Sequence, residues 1–267
     1  FLYYFCKSKN DMANTAIVIN IGNTNIRFGH FVDDVCKVSW VLNTKPYKTA
    51  DELYMQFISS YQTYSINVSE VSRIIIGSVV PQLTIAVKKA IDKIHGEHIA
   101  VVVDRNTPSA VVPKSKQMGT DIYANLVAAN ELYPNQKKII VDFGTALTAS
   151  CISETGETLG VIIAPGIITS LNGLIQQTAQ LTEIELIPSK TILGLDTISC
   201  MQSGIIYGYL GMVEGFIDRI NSEVGGNCLV IGTGGVSHIY QPLTDKISIV
   251  DKLHTLKGLY FLGKDKC

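Results

Sequence analysis

One seven-residue pattern occurs twice in this chain, and the repetition restricts the fold more than any other feature. Ile17-Val-Ile-Asn-Ile-Gly-Asn23 and Ile139-Ile-Val-Asp-Phe-Gly-Thr145 share one order: apolar run, Asn or Asp, apolar residue, Gly, small polar residue. A short apolar run ending in glycine reads as a buried strand entering a tight turn. Its recurrence implies an α/β chain whose second half copies its first.

The periodicities around the two copies support that reading. After the first copy come strands over Arg27 to Val32 and Val35 to Leu42, then a helix over Asp51 to Tyr61. A strand over Arg73 to Val80, a helix over Leu83 to Ile94 and a strand over Ile99 to Val103 complete the half. Asp104 to Met118 has no periodicity and reads as a loop, followed by a helix over Asp121 to Leu132 that Pro134 ends. After the second copy, strands are expected over Leu147 to Ile152 and Glu157 to Ile163, and a helix from Pro165-Gly166 to about Ala179. A long helix from Thr197 to Val224 carries Gly204, Gly208, Gly211 and Gly215, a spacing that suits either a packed interface or a monomer's core. A strand from Leu229 into Gly232-Thr-Gly-Gly235, a strand over Lys246 to Val250 and a helix over His254 to Leu262 close the chain. The domains are thus expected at 16–118 and 119–267, with residues 1–15 as an extension outside the fold.

Composition narrows the partner. The chain has 267 residues, 46% of them hydrophobic, enough for one large or two medium domains. A net charge of −1 provides no global attraction to nucleic acid or an anionic membrane. The apolar start at Phe1 is too short for a membrane span or signal core, so a cytoplasmic protein is expected. Six scattered cysteines without a CxxC pair read as reduced, mostly buried thiols. His95-Gly-Glu-His98 reads as a helix end rather than a zinc site.

The chemistry lies in the turns. Glycine at the end of a buried strand lets backbone N–H groups converge on an anion, and polyphosphate is the natural guest. Taken singly, Gly22-Asn23 is a common hairpin turn. Recurrence on matching strands, joined by Gly232-Thr-Gly-Gly235, points to a nucleotide. Asp121 opens a helix; there it suits the helix dipole, and it can also orient and deprotonate an attacking hydroxyl.

These segments resemble the type III pantothenate kinase family, within the actin-like ATPase and acetate and sugar kinase superfamily. The resemblance runs from residue 16 to 263 through Gly22-Asn-Thr-Asn25, Gly119-x-Asp121 with Asn125, and Val141-Asp-Phe-Gly-Thr145. It continues through Ala164-Pro-Gly-Ile167, Met201-Gln-Ser-Gly204, Thr233-Gly-Gly235 and Thr255-Leu-x-Gly-Leu259. It implies two ribonuclease H-like domains, each a mixed sheet flanked by helices, with the active site in the cleft between them. It implies phosphorylation of pantothenate to 4'-phosphopantothenate by ATP with Mg²⁺, the first step of coenzyme A synthesis. By the same resemblance Asn20, Ile21, Gly22, Asn23, Thr24, Asn25, Ile26 and Arg27 form the first phosphate loop, and Thr145 contacts ATP. Asp142 holds a monovalent cation, K⁺ or NH₄⁺, Asn20 lies near Mg²⁺, and Asp121 is the general base. Gly119, Thr120, Asp121 and Ile122 hold pantothenate together with Thr197, which is supplied across a homodimer interface.

The chain departs from the family pattern at defined positions. Asn20 stands where the first loop normally has Asp, which predicts weaker use of magnesium. Ile122 replaces an Arg, the tyrosine expected before Gly119 has no counterpart after Val101, and Val161 replaces a glycine. Two alternatives follow: a catalytically weakened homologue that binds nucleotide or pantothenate as a regulator, and a kinase for another small molecule.

Overall fold

The computed structural model describes residues 15–115 and 117–266, and the rest of the expected N-terminal extension, with Cys6 and Cys267, lies outside the described residues. The chain divides into two compact units, one reaching Val103 and including the residues from Gly263, the other Asp104–Leu262. The loop from Asp104 therefore groups with the second unit.

In the first unit β1 (Thr15–Ile21), β2 (Asn25–Val32) and β3 (Val35–Asn43) form an antiparallel meander. The meander is joined by β4 (Arg73–Ser78) and β5 (Ala100–Val103), parallel to β1, giving the order β3-β2-β1-β4-β5. Strand β1 begins at Thr15, which pairs with Val32 and was assigned by sequence to the extension. Helix α1 (Ala50–Thr63) starts at a capping box between Thr49 and Glu52, and α2 (Pro81–His95) starts at a proline whose missing N–H costs nothing there. Ile17, Ile19, Ile21 and Phe28 pack with Leu53 and Phe57 of α1 and Leu83 and Val87 of α2. Phe28 stacks on Trp40 at 5.0 Å and meets Phe57 edge-on at 5.4 Å. Because strand side chains alternate, this core occupies one face and turns Asn20 to the other.

The second unit repeats the plan. β6 (Lys138–Phe143), β7 (Ala146–Ile152) and β8 (Thr158–Pro165) are antiparallel, while β9 (Leu229–Gly234) and β10 (Ile249–Val250) run parallel to β6. The order β10-β9-β6-β7-β8 is the first sheet's order read in reverse. Around it lie α3 (Thr120–Leu132), α4 (Ile167–Gln176), α5 (Thr197–Val224), the single turn α6 (Ser237–Tyr240) and α7 (His254–Gly263). Ile139, Val141 and Phe143 pack against Ile206, Val213 and Ile217 of α5. The alternate residues of β6, including Asp142, face the side of α3.

Three sequence readings need adjustment. Helix α4 ends at Gln176 rather than near Ala179, and β10 contains only Ile249–Val250. Only Cys151 among the described cysteines is buried, whereas Cys200 is exposed. At Gly204, Gly208 and Gly211 nothing among the described residues lies within 4 Å of where a Cβ would stand, so no described segment packs closely on this stripe.

Candidate active site

Helix α3 begins at Gly119, whose extended backbone (φ −66°, ψ 150°) lets Thr120 and Asp121 enter the first turn. Asp121 is half-buried, and its Oδ1 accepts from the backbone N–H of Ile122 at 2.8 Å. One turn later on the same face lies Asn125, because residues four apart are neighbours on a helix. Asn125 is 1% exposed and donates through Nδ2 to Asp142 Oδ2 at 3.0 Å. Asn125 thereby ties α3, the helix that carries Asp121 at its start, to Asp142 at the end of β6.

Asn125 is itself held from α7. Thr255 Oγ1 donates to Asn125 Oδ1 at 2.8 Å, and His254 Nε2 lies 3.0 Å from the Asn125 carbonyl. A carbonyl only accepts, so Nε2 carries a proton. His254 Nδ1 faces Asp251 Oδ2 at 3.5 Å, and Lys257 donates to the same oxygen at 2.8 Å. Burial alone would raise the Asp251 carboxyl, but hydrogen bonding by His254 and Lys257 outweighs it and brings the group down to about 2. Crossing α7 over α3 is possible because Gly258 sits on Ala124, where an added Cβ would lie 1.8 Å from the carbonyl oxygen.

The turn after β6 is braced through its backbone. Thr145 O accepts from Gly166 N at 3.0 Å and from Thr169 Oγ1 at 2.7 Å, so the start of α4 fixes Gly144 and Thr145. Strand register places Thr148 of β7 and Thr233 of β9 on either side of Asp142. Thr233 is 1% exposed and its Oγ1 has no hydrogen-bond partner among the described residues. Gly234, at φ +94°, leaves room for the carboxylate, since a Cβ there would stand 2.7 Å from Asp142 Oδ1.

In the first unit Gly22 N donates to Asn25 O at 2.9 Å, closing the turn, and Thr44 Oγ1 donates to Gly22 O at 2.7 Å. Asn23 and Thr24 are exposed at its tip. Asn20 and Arg27 are half-buried cross-strand partners. Ile21 and Ile26 are 0% and 1% exposed, so any contact they make with a nucleotide is through backbone. Thr197 is exposed at the start of α5, after Asp196, which caps the helix by accepting from Ser199 N at 2.9 Å. It lines an open cavity of about 620 Å³ with Leu174, Leu181, Leu195 and Met201.

Asp121, Thr145 and Asp142 were legible as loop and helix-start residues, and the structure adds the holders Asn125, Thr255 and His254 and the unpartnered Thr233 hydroxyl. Asn125 and Thr255 stood in the motif segments, but nothing local marked them as partners 130 residues apart.

Among solved structures, the chain is similar to one described as a Baf family transcriptional activator from Campylobacter jejuni, with a TM-score of 0.57 and 17% identity over 92% of this chain and 96% of that one. It is also similar to the activator of 2-hydroxyisocaproyl-CoA dehydratase from Clostridium difficile, solved with bound ADPNP, with a TM-score of 0.50 and 11% identity over 93% and 94%. These likenesses show the fold, two five-stranded mixed sheets built on one duplicated plan. The family model described as type III pantothenate kinase matches residues 16–219. The type III pantothenate kinase of Moorella thermoacetica is 38% identical over 91% of this chain and 96% of its own length, and that of Finegoldia magna 37% identical over 94% and 98%. With the acid, the braced turns and the duplicated sheets in the matching order, this chain belongs to the type III pantothenate kinase family.

Proposed function

We infer that the chain transfers the γ-phosphoryl group of ATP to the primary hydroxyl of pantothenate, giving 4'-phosphopantothenate and ADP, the first step of coenzyme A synthesis. The observation that carries this reading is the Asp121–Asn125–Asp142 arrangement at the start of α3 and the end of β6. Asp121 accepts the hydroxyl proton as the oxygen attacks phosphorus, and the phosphorus–oxygen bond to ADP breaks. Gly119, Thr120 and Ile122 position pantothenate around it. The turn amides of Gly22–Asn25 and Thr145 hold phosphate oxygens.

Asp142, Thr148 and the unpartnered Thr233 hydroxyl are oxygen donors that fit a monovalent cation such as K⁺ or NH₄⁺. When bound, it would place positive charge beside the transferring phosphate. Protein-held Mg²⁺ does not fit the first loop, where Asn20 is flanked by Arg27 and Gly77. Among the described residues no cluster of three His, Cys, Asp or Glu side chains could hold a metal. Mg²⁺ enters this scheme only as the counter-ion that ATP carries. No described helix is long and apolar enough to cross a membrane, and the exposed Cys200 thiol suits a reducing cytoplasm.

The working unit is a homodimer in which Thr197 serves the partner's pocket. Leu195 is 99% exposed, Leu193 79%, Ile192 65% and Ile198 54%, next to the uncovered glycine stripe of α5. Contiguous exposed apolar surface of this kind marks an interface. Leu195→Glu is expected to shift the protein from dimer to monomer in sedimentation velocity and to raise the KM for pantothenate. A wild-type monomer with full activity would reject the dimer.

The activity itself is tested by ADP release from ATP with K⁺ present. Release should depend on added pantothenate and yield a product one phosphate heavier by mass spectrometry. Release driven by other hydroxyl compounds but not by pantothenate would reassign the substrate.

A further inference from the structure

The two glycine turns stand on equivalent strands, so the rows of side chains beneath them can be compared position by position. In the second unit the row across β7, β6 and β9 is Thr148–Asp142–Thr233. Its counterpart across β2, β1 and β4 is Arg27–Asn20–Gly77. Residues paired in register share a sheet face, with Cβ atoms about 5 Å apart in an antiparallel pair. One row therefore carries a carboxylate between two hydroxyls, and the other a guanidinium beside an amide and a bare backbone. The duplicated loops have opposite charge.

No structural contact among the described residues accounts for the charge of Arg27. It is half-buried, yet among the described residues it forms no ion pair. Its neighbour on β3 is Val41, so no acid faces it from either adjoining strand. Arginine is permanently charged and its planar fork of donors matches two phosphate oxygens at once. The glycine turn ends two residues before Arg27 on the same strand, closed by the Gly22 N to Asn25 O bond, and its backbone geometry suits an anion.

We propose that the first glycine turn seats the nucleotide's polyphosphate as a free anion, with the Arg27 guanidinium making the direct contact, so nucleotide binding there needs no divalent ion. Asn20 allows this because its uncharged amide neither neutralises Arg27 nor repels phosphate, and its Nδ2 can donate to a phosphate oxygen. The proposal rests on reading the chain as an ATP-using kinase.

The test is binding of N-methylanthraniloyl-ATP to the full chain, followed by fluorescence anisotropy in EDTA and in Mg²⁺. Wild type should bind in EDTA with a Kd within about threefold of its value in Mg²⁺. Arg27→Gln should raise the EDTA Kd by about tenfold or more, the scale of a charge-assisted contact to phosphate. Arg27→Lys should recover part of the loss. Asn20→Asp, which sets a carboxylate beside Arg27, should weaken binding in EDTA about tenfold and make it depend on Mg²⁺. Loss of wild-type binding in EDTA, or an unchanged EDTA Kd in both Arg27→Gln and Asn20→Asp, overturns the proposal. Should Arg27→Gln fail to fold, Asn20→Asp still decides. Pantothenate-dependent ADP release is scored separately. A protein that phosphorylates pantothenate but binds nucleotide only with Mg²⁺ keeps the kinase reading and loses this inference.

Discussion

Asp121→Asn is expected to lower kcat for pantothenate phosphorylation by about 10²–10⁴-fold, the usual contribution of a positioned general base. The substitution keeps the side chain's size and an oxygen that can still accept from Ile122 N, the 2.8 Å contact at the start of α3. The helix start and the Asn125–Asp142 bond are therefore retained, and ATP binding should stay within about twofold of wild type. Steady-state kinetics paired with nucleotide titration separates the two effects. A kcat within a few-fold of wild type would remove Asp121 from the proton-transfer role. A parallel loss of nucleotide binding would mean that the residue organises the site instead.

The largest effect on stability is expected at Gly258. A methyl group there would lie 1.8 Å from the Ala124 carbonyl oxygen and 2.5 Å from its carbon, and backbone cannot swing aside as a side-chain tip can. Gly258→Ala must push α7 away from α3, with a cost of about 3 kcal/mol or more, the upper range for overpacking. For a chain of this size that lowers Tm by about 6 °C or more. The same movement withdraws Thr255 and His254 from Asn125, so activity should fall at temperatures where the variant remains folded. Gly173→Ala is the matched control: it lies within α4 with nothing within 4 Å of the added methyl, and should stabilise by about 0.5–1 kcal/mol. Calorimetric melts of both variants check the pair. Equal Tm values would show that α7 and α3 do not meet so closely.

The glycines show how far local sequence reaches. Gly22 and Gly144 were readable because each follows a buried strand in the same pattern, and a turn after a strand is a property of a few adjacent residues. Gly204, Gly208 and Gly211 were equally regular but ambiguous, since helical spacing defines a face without naming what covers it. No described segment comes within 4 Å of a Cβ on that face, while the close contact falls at Gly258, a single glycine with no repeating neighbour. Short elements were misjudged for a related reason: β10 retains two paired residues because only those meet β9.

The candidate site divides in the same way. Asp121 at a helix start and Asp142 before a glycine turn are marked by their immediate neighbours, whereas the exchange of acid for amide at Asn20 is legible only against the family pattern. Sequence by itself determined the duplicated strand–turn plan, the order of helices and strands, and which loops carry polar chemistry, because each depends on periodicity within a few residues. Tertiary structure alone decided that Asn125 clamps Asp142, that α7 holds Asn125, and that Arg27 stands beside Asn20 with no acid paired to it among the described residues. The α7–Asn125 contacts join residues about 130 apart in the chain, and strand register, set by the pairing of whole sheets, selects which side chains share a face.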